Sequence, residues 1–243
     1  MKNNPATGFR HALTGLRLIF RRELRPFVIV PLLVNILVFG ALIWVGSQGF
    51  STLIERFLPE DSWLSHLSWL LWPLFALAIV LVVFYTFTAV ANLIAAPFNG
   101  LLAEKVEVLL SGKVPDPTSG WKETFKELLP SLFSELRKLL YFVLRAIPLL
   151  ILFLIPGVNI IAPFLWLAFS AWYLSLEYMD FPMGNHGILF KDQHQRMKNG
   201  RLNAMGFGGG VMLMMAVPGL NFLAMPAGVA GATALWCKEV KNG

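Results

Sequence analysis

Two long apolar stretches, Leu139 to Leu176 and Leu202 to Trp236, are each broken near the middle by the same tetrad, Pro156-Gly157-Val158-Asn159 and Pro218-Gly219-Leu220-Asn221. A sharp turn inside an apolar run of membrane length divides it into two half-helices. The second half starts at depth with unpaired N–H groups and the positive end of its dipole. The flanks repeat as well: Ile155-Pro-Gly-Val-Asn-Ile-Ile-Ala-Pro163 aligns with Val217-Pro-Gly-Leu-Asn-Phe-Leu-Ala-Met225. The expectation is a duplicated helical hairpin. Gly takes positive φ in each turn, and Asn159 or Asn221 caps the returning half-helix. A pair of kinks in ordinary spanning helices is the simpler alternative, since Pro and Gly are common in membrane helices.

With 56% hydrophobic and only 14% charged residues, a chain of 243 residues is too apolar for a soluble domain. The composition predicts an all-α integral membrane protein forming one membrane domain over residues 1–243. Run lengths near twenty, with no alternating ten-residue strands, exclude an outer-membrane barrel. The single cysteine, Cys237, excludes an intrachain disulfide, and with Lys238 and Lys241 beside it belongs on the reducing, cytoplasmic side.

The net charge of +6 is spread over several loops without a nucleic-acid-reading motif, so nucleic acid is not expected as a partner. No ATP-binding loop is present: Gly206-Phe207-Gly208-Gly209-Gly210 lacks the Lys-Ser/Thr of a phosphate cradle and fits close helix packing instead. His11, His66, His186 and His194 show no metal-ligand spacing, and no nucleophile or acid/base pair stands out. Neither an enzyme nor a cofactor is expected.

Basic residues set the topology. Segment 1–26 carries Lys2, Arg10, Arg17, Arg21, Arg22 and Arg25 against the lone acid Glu23, and is therefore cytoplasmic. A first span over Phe27 to Gly46 leads to an acidic outer loop, 47–62, followed by Trp63, Trp69 and Trp72 at the interface and a second span over 73–96. An amphipathic helix follows at 101–110, and another at 122–138 with Phe125, Leu129, Leu132, Phe133 and Leu136 on one face. The segments flanking both broken runs are all basic. Each run is therefore a hairpin that enters and leaves on one side, either re-entrant or with both halves spanning, and its halves of about 16 to 18 residues sit at the short limit for spanning. Both termini are then cytoplasmic.

Pro31-Leu-Leu-Val-Asn35, Leu71-Trp-Pro-Leu74, Asn92-Leu-Ile-Ala-Ala-Pro-Phe-Asn-Gly-Leu-Leu-Ala-Glu104, Arg145-Ala-Ile, Ile155-Pro-Gly, Phe169-Ser-Ala-Trp172 and Asn185-His186 resemble the bacterial CysZ sulfate permease family from about residue 8 to 237. The resemblance implies sulfate entry across the bacterial inner membrane for cysteine biosynthesis, without an ATPase subunit. It also implies two long spanning helices, partly penetrating helix pairs and a homo-oligomer, dimer or higher. Family members carry a Gly-Leu-Arg-(Arg) sulfate-binding motif just before the first span. Its place here is Glu23-Leu24-Arg25-Pro26, so Leu24 and Arg25 match while the glycine and second arginine are replaced. Arg21 and Arg22, one turn earlier, are placed to supply the missing charge. Gly15-Leu16-Arg17 has the same letters about ten residues upstream.

Sulfate is a dianion with no proton to offer, so its site needs donors only: guanidinium forks, backbone N–H groups and helix N-termini. Leu24, Arg25, Arg21 and Arg22 are the candidate binding residues. Asn99, Arg145, Asn159 and Asn221 are candidates for an anion path, with Glu104 and Glu177 as partners for the intramembrane Arg145. For the arginines a role as interfacial anchors stays open, and for Asn99 a role as a helix cap. At the level of function, a non-transporting membrane scaffold and a proton-coupled transporter of another oxyanion stay open beside the sulfate permease.

Overall fold

The computed structural model describes residues 3–57, 73, 74, 77, 80, 81, 85, 98–112 and 121–242. Their regular structure is helical: α1 (Pro5–Leu18), α2 (Arg25–Phe57), α3 (described over residues 98–111), α4 (Trp121–Leu154), α5 (Ala162–Gly184), α6 (Phe190–Lys198), α7 (Arg201–Ala216) and α8 (Asn221–Asn242). The all-α class is as expected. Two compact units emerge, Met1–Val28 with Asn99–Gly243, and Ile29–Phe98. The latter holds most of α2.

Both Pro-Gly breaks are turns between helices. Gly157 has φ +85° and Gly219 φ +81°, a region that a side chain disfavours, so glycine carries the turn three residues after α4 ends at Leu154 and α7 at Ala216. A short 3-10 turn, Val158–Ile160, then leads into α5. The two asparagines do not cap as expected. Helix α5 starts behind Ile161 with no side-chain cap, and Asn221 is already the first residue of α8.

Close backbone approach fastens the first unit. Ser175 of α5 donates its hydroxyl to the Ala204 carbonyl of α7 and accepts from the Gly208 N–H at 3.1 Å. One turn further along, Gly208 lies so near the Ala171 carbonyl that a Cβ has no room. Residues 171 and 175 pair with 208 and 204, so α5 and α7 are antiparallel and both Pro-Gly turns lie at the same end of the unit. Helix α1 lies across α7 and α8. Gly8 meets the Asn203 carbonyl, Gly206 the Pro5 carbonyl, and Gly15 the Ala227 carbonyl and Gly231. The glycine of Gly15-Leu16-Arg17 is thus explained by helix packing, as are Gly206, Gly208 and Gly210.

Capping explains where α1 and α7 begin. Asn4 caps α1 by accepting from the Ala6 N–H at 2.9 Å, with Pro5 at the first helical position. Asn3 Oδ1 accepts from the N–H groups of Leu202 (2.8 Å) and Asn203 (3.2 Å), which supplies the cap α7 lacks from its own Gly200. In return, Asn203 Oδ1 accepts from the Asn4 N–H at 3.0 Å. Helix α3 buries Leu102, Ala103 and Val106 in the same core. The loop after α5 holds it, through Asn185 Nδ2 to the Gly100 carbonyl (3.0 Å) and His186 Nε2 to Glu107 (2.8 Å).

Three expectations need correction. The outer loop at 47–62 starts later, because α2 continues through Phe57. Residues 122–138 form no separate surface helix: they run without a break into the first hairpin arm as the 34-residue α4. The returning arms α5 and α8, at 23 and 22 residues, are longer than half-helices of 16 to 18 residues. The aromatic belt and most of the second span, 73–96, lie outside the described residues. Among the described residues no helix is long and apolar enough to cross a membrane.

Candidate anion-binding site

The chain between α1 and α2 turns twice within six residues. Arg21 N–H donates to the Leu18 carbonyl (2.9 Å), and the Arg21 carbonyl accepts from Leu24 N–H (3.0 Å) and Arg25 N–H (3.1 Å). Leu24 is fully buried in the core with Leu18 and Ile19, whereas Arg21, Arg22 and Arg25 are exposed. An apolar anchor under the turn thus leaves three guanidinium groups on its outer side. Arg25 is also the first residue of α2; the N–H groups there are engaged, Arg25 with the Arg21 carbonyl and Phe27 with the Leu24 carbonyl at 3.1 Å, so the helix end offers an anion its dipole. Its Nε donates to the Phe20 carbonyl at 2.8 Å, which orients the fork. Among the described residues none of the three arginines forms an ion pair. Leu24 contributes position, since its side chain is packed away and its N–H is occupied.

The four candidate path residues are not brought together. Asn159 and Asn221 are exposed at the two hairpin turns. Arg145 sits nine residues before the end of α4, or about 14 Å along the helix axis. Asn99, in the described part of α3, is buried, and its Nδ2 has no hydrogen-bond partner among the described residues. An unsatisfied buried donor costs about 1–3 kcal/mol.

Arg145 finds neither expected partner. Its Cζ lies 3.8 Å from the centroid of the Tyr141 ring, one helical turn back, in a cation–π contact. Tyr141 is oriented in turn by accepting from Trp172 Nε1 at 2.7 Å. Glu177 is engaged elsewhere, at 3.4 Å from Lys138 Nζ. That lysine is the centre of a cluster not anticipated from the sequence. It is 6% exposed and also meets Glu135 at 3.1 Å and Asp180 at 2.8 Å, while Gln193 Nε2 donates to the other oxygen of Asp180 at 2.5 Å.

Burial disfavours the ammonium of Lys138, but the carboxylates of Asp180 and Glu177, with Glu135 behind them, outweigh it and hold its pKa well above the usual lysine range. Burial likewise pushes Glu135 up, against the pull of Lys138. The cluster is a lock across the open end of the first hairpin. Nothing marks it locally, because its members come from positions 135 to 193. The Tyr141–Arg145 contact, at i and i+4, was the readable one. Among the described residues no three His, Cys, Asp or Glu side chains are arranged to hold a metal ion.

The profile of the sulfate transporter CysZ/etoposide-induced protein 2.4 family matches residues 11–226. The chain belongs to that family. The match covers every candidate residue named above. Among curated relatives, the sulfate transporter CysZ of Pseudomonas aeruginosa PAO1 is 44% identical over 226 residues, 93% of this chain and 92% of its own length. That of Pseudomonas fluorescens Pf0-1 is 44% identical over 96% of this chain and 94% of its own. The CysZ protein of Vibrio parahaemolyticus is 42% identical over 100% of this chain and 98% of its own. CysZ relatives from several bacteria thus align over 93% to 100% of this chain.

Proposed function

We propose that this chain is a sulfate permease of the bacterial inner membrane that brings sulfate in for cysteine biosynthesis without ATP hydrolysis. The observation that carries the reading is the set of three exposed guanidinium groups, without an ion-pair partner among the described residues, on the buried Leu24 anchor at the start of α2. A dianion leaving water needs charge-assisted donors around it and no acceptor among them. The turn at Arg21, Arg22, Leu24 and Arg25 supplies the donors, with the exposed Glu23 as the one carboxylate within it. Membership of the family that includes the CysZ sulfate transporters supports sulfate as the anion.

A membrane location is supported by the hairpins. Between Arg145 and Glu177, and again between Arg201 and Lys238, no Asp, Glu, Lys or Arg occurs. At the turns Leu154, Ile160, Phe164 and Phe222 are each at least 69% exposed, and Val217 is half exposed. Large apolar side chains grouped at one end of a unit are explained by immersion in lipid. Re-entrant hairpins of this kind need no single helix of spanning length. In this reading the basic ends of the hairpins and both termini face the cytoplasm. Asn99, Arg145 and the turn residues Asn159 and Asn221 mark separate points of the route, and a dimer or higher homo-oligomer seals it.

Purified protein reconstituted alone into proteoliposomes should take up labelled sulfate. No uptake would leave the scaffold reading, and uptake abolished by collapsing a proton gradient would favour proton coupling.

A further inference from the structure

An open groove of about 650 Å³ lies between α1, α5 and α7, walled by residues that include Phe9, Arg10, Leu167, Ala168, Gly209 and Leu213. Its size falls within the roughly 300–1,000 Å³ of small-molecule sites. The lining is apolar except at one place: among the described residues Arg10 is the only charged group in the wall. Gly209 explains why the groove exists. Its neighbours Gly206, Gly208 and Gly210 are closed against Pro5, Ala171 and Ala12, but a Cβ on Gly209 would meet nothing within 4 Å. Its absent side chain leaves room that no helix uses.

Arg10 also borders a second hollow of about 280 Å³, lined by Arg10, Leu13, Thr14 and Arg17. These four positions share one face of α1. Among the described residues neither arginine is in an ion pair. An apolar slot therefore opens beside two exposed guanidinium groups, on a helix that also exposes Phe9 and Leu13.

We infer that the groove holds an acyl chain of an anionic phospholipid whose phosphate is bound by Arg10 and Arg17. Basic pockets beside helices select such headgroups, and a helix with mixed apolar and basic exposure lies naturally at the lipid interface. A second copy docked through the same face would set Arg10 and Arg17 against their own like charges. The site is distinct from the turn assigned to sulfate. It rests on the transport reading only for the membrane location.

Native mass spectrometry of the purified full-length protein, titrated with phosphatidylglycerol or chain-matched phosphatidylcholine, tests the assignment. Phosphatidylglycerol should saturate at one per chain and bind roughly tenfold more tightly. Arg10→Gln should remove that preference. Gly209→Leu, which fills the slot, should weaken both lipids alike. Arg10 is exposed, so its variant reads out even if Gly209→Leu disturbs packing.

Equal binding of the two lipids by the wild type would overturn the inference, as would binding unchanged in both variants. Inorganic phosphate competing as well as the lipid would reduce the site to a bare anion contact and overturn the acyl-chain assignment. A change of oligomeric mass in Gly209→Leu with lipid binding intact would give the groove to a second copy. Because sulfate flux is not the readout, a protein that binds lipid in this way but passes no sulfate would defeat the permease reading alone.

Discussion

Lys138 of α4 and Asp180 of α5 meet at 2.8 Å across the open end of the first hairpin, with the lysine nearly buried and the aspartate still partly exposed. Glu135 and Glu177 complete three carboxylates around one ammonium. Removing the ammonium leaves those charges facing one another. Lys138→Met should therefore destabilise the protein by about 3 kcal/mol, at the low end for a broken buried pair because the carboxylates keep water. Denaturant unfolding followed by circular dichroism measures it. The pKa of Lys138 is raised in the folded state, so its contribution is complete below about pH 10.4 and is lost as pH rises toward the folded value. Wild-type stability should fall in strong alkali, and Lys138→Met should lose that dependence.

The glycines of α7 separate by environment. Gly208→Ala should cost about 1–3 kcal/mol, since the added methyl meets the Ala171 backbone. Gly209→Ala should be neutral or stabilising by up to about 1 kcal/mol, as alanine favours helix and the site is open. Thermal unfolding of the two variants side by side distinguishes them, and equal losses would contradict the described packing of α5 on α7.

Arg25→Ala should weaken sulfate binding roughly tenfold to a hundredfold, the usual cost of one charge-assisted donor. Arg25→Lys should fall between, because a point charge does not reproduce the planar fork. Isothermal calorimetry of the folded variants checks this. Unchanged affinity would move the site away from the α1–α2 turn, toward the hairpin ends at Asn159 and Asn221.

Glu23 stands beside this cluster, where the family's motif has glycine, and is exposed. A carboxylate there repels a dianion, so Glu23→Gln should raise sulfate affinity by roughly twofold to fivefold, within the range of exposed charge pairs. The gain should shrink in high salt, which screens exposed charges. A loss of affinity would mean that Glu23 orients the arginines.

Cysteine labelling tests the sidedness. Cys237 is buried, which keeps the background low. Leu53→Cys should react with an impermeant thiol reagent from outside, whereas Asp192→Cys and Lys241→Cys should not. External labelling at 192 with protection at 241 would overturn the one-sided hairpins.

Local chemistry made much of this chain readable in advance. Pro156-Gly157 and Pro218-Gly219 turn where they stand because only a residue without Cβ takes their backbone angles cheaply, whatever packs around them. The apolar runs dictate helices for the same local reason, and the loss of charge around them points to lipid. The capping role of Asn159 and Asn221 was misread, because where a helix restarts depends on how the hairpin closes.

Tertiary structure decided the rest. Arg145 turned to the Tyr141 ring, since Glu177 was already held by Lys138 from the facing helix. The Lys138 cluster gathers positions 135, 177, 180 and 193, which no spacing connects. The glycines of α7 were expected in close helix packing, but which of them pack, and that Gly209 faces open space, was decided only once α1 lay across α7 and α8. Backbone angles and hydropathy act between neighbours in the chain and can be read there. Ion pairs, close helix approaches and grooves act between surfaces that exist only after the helices have packed.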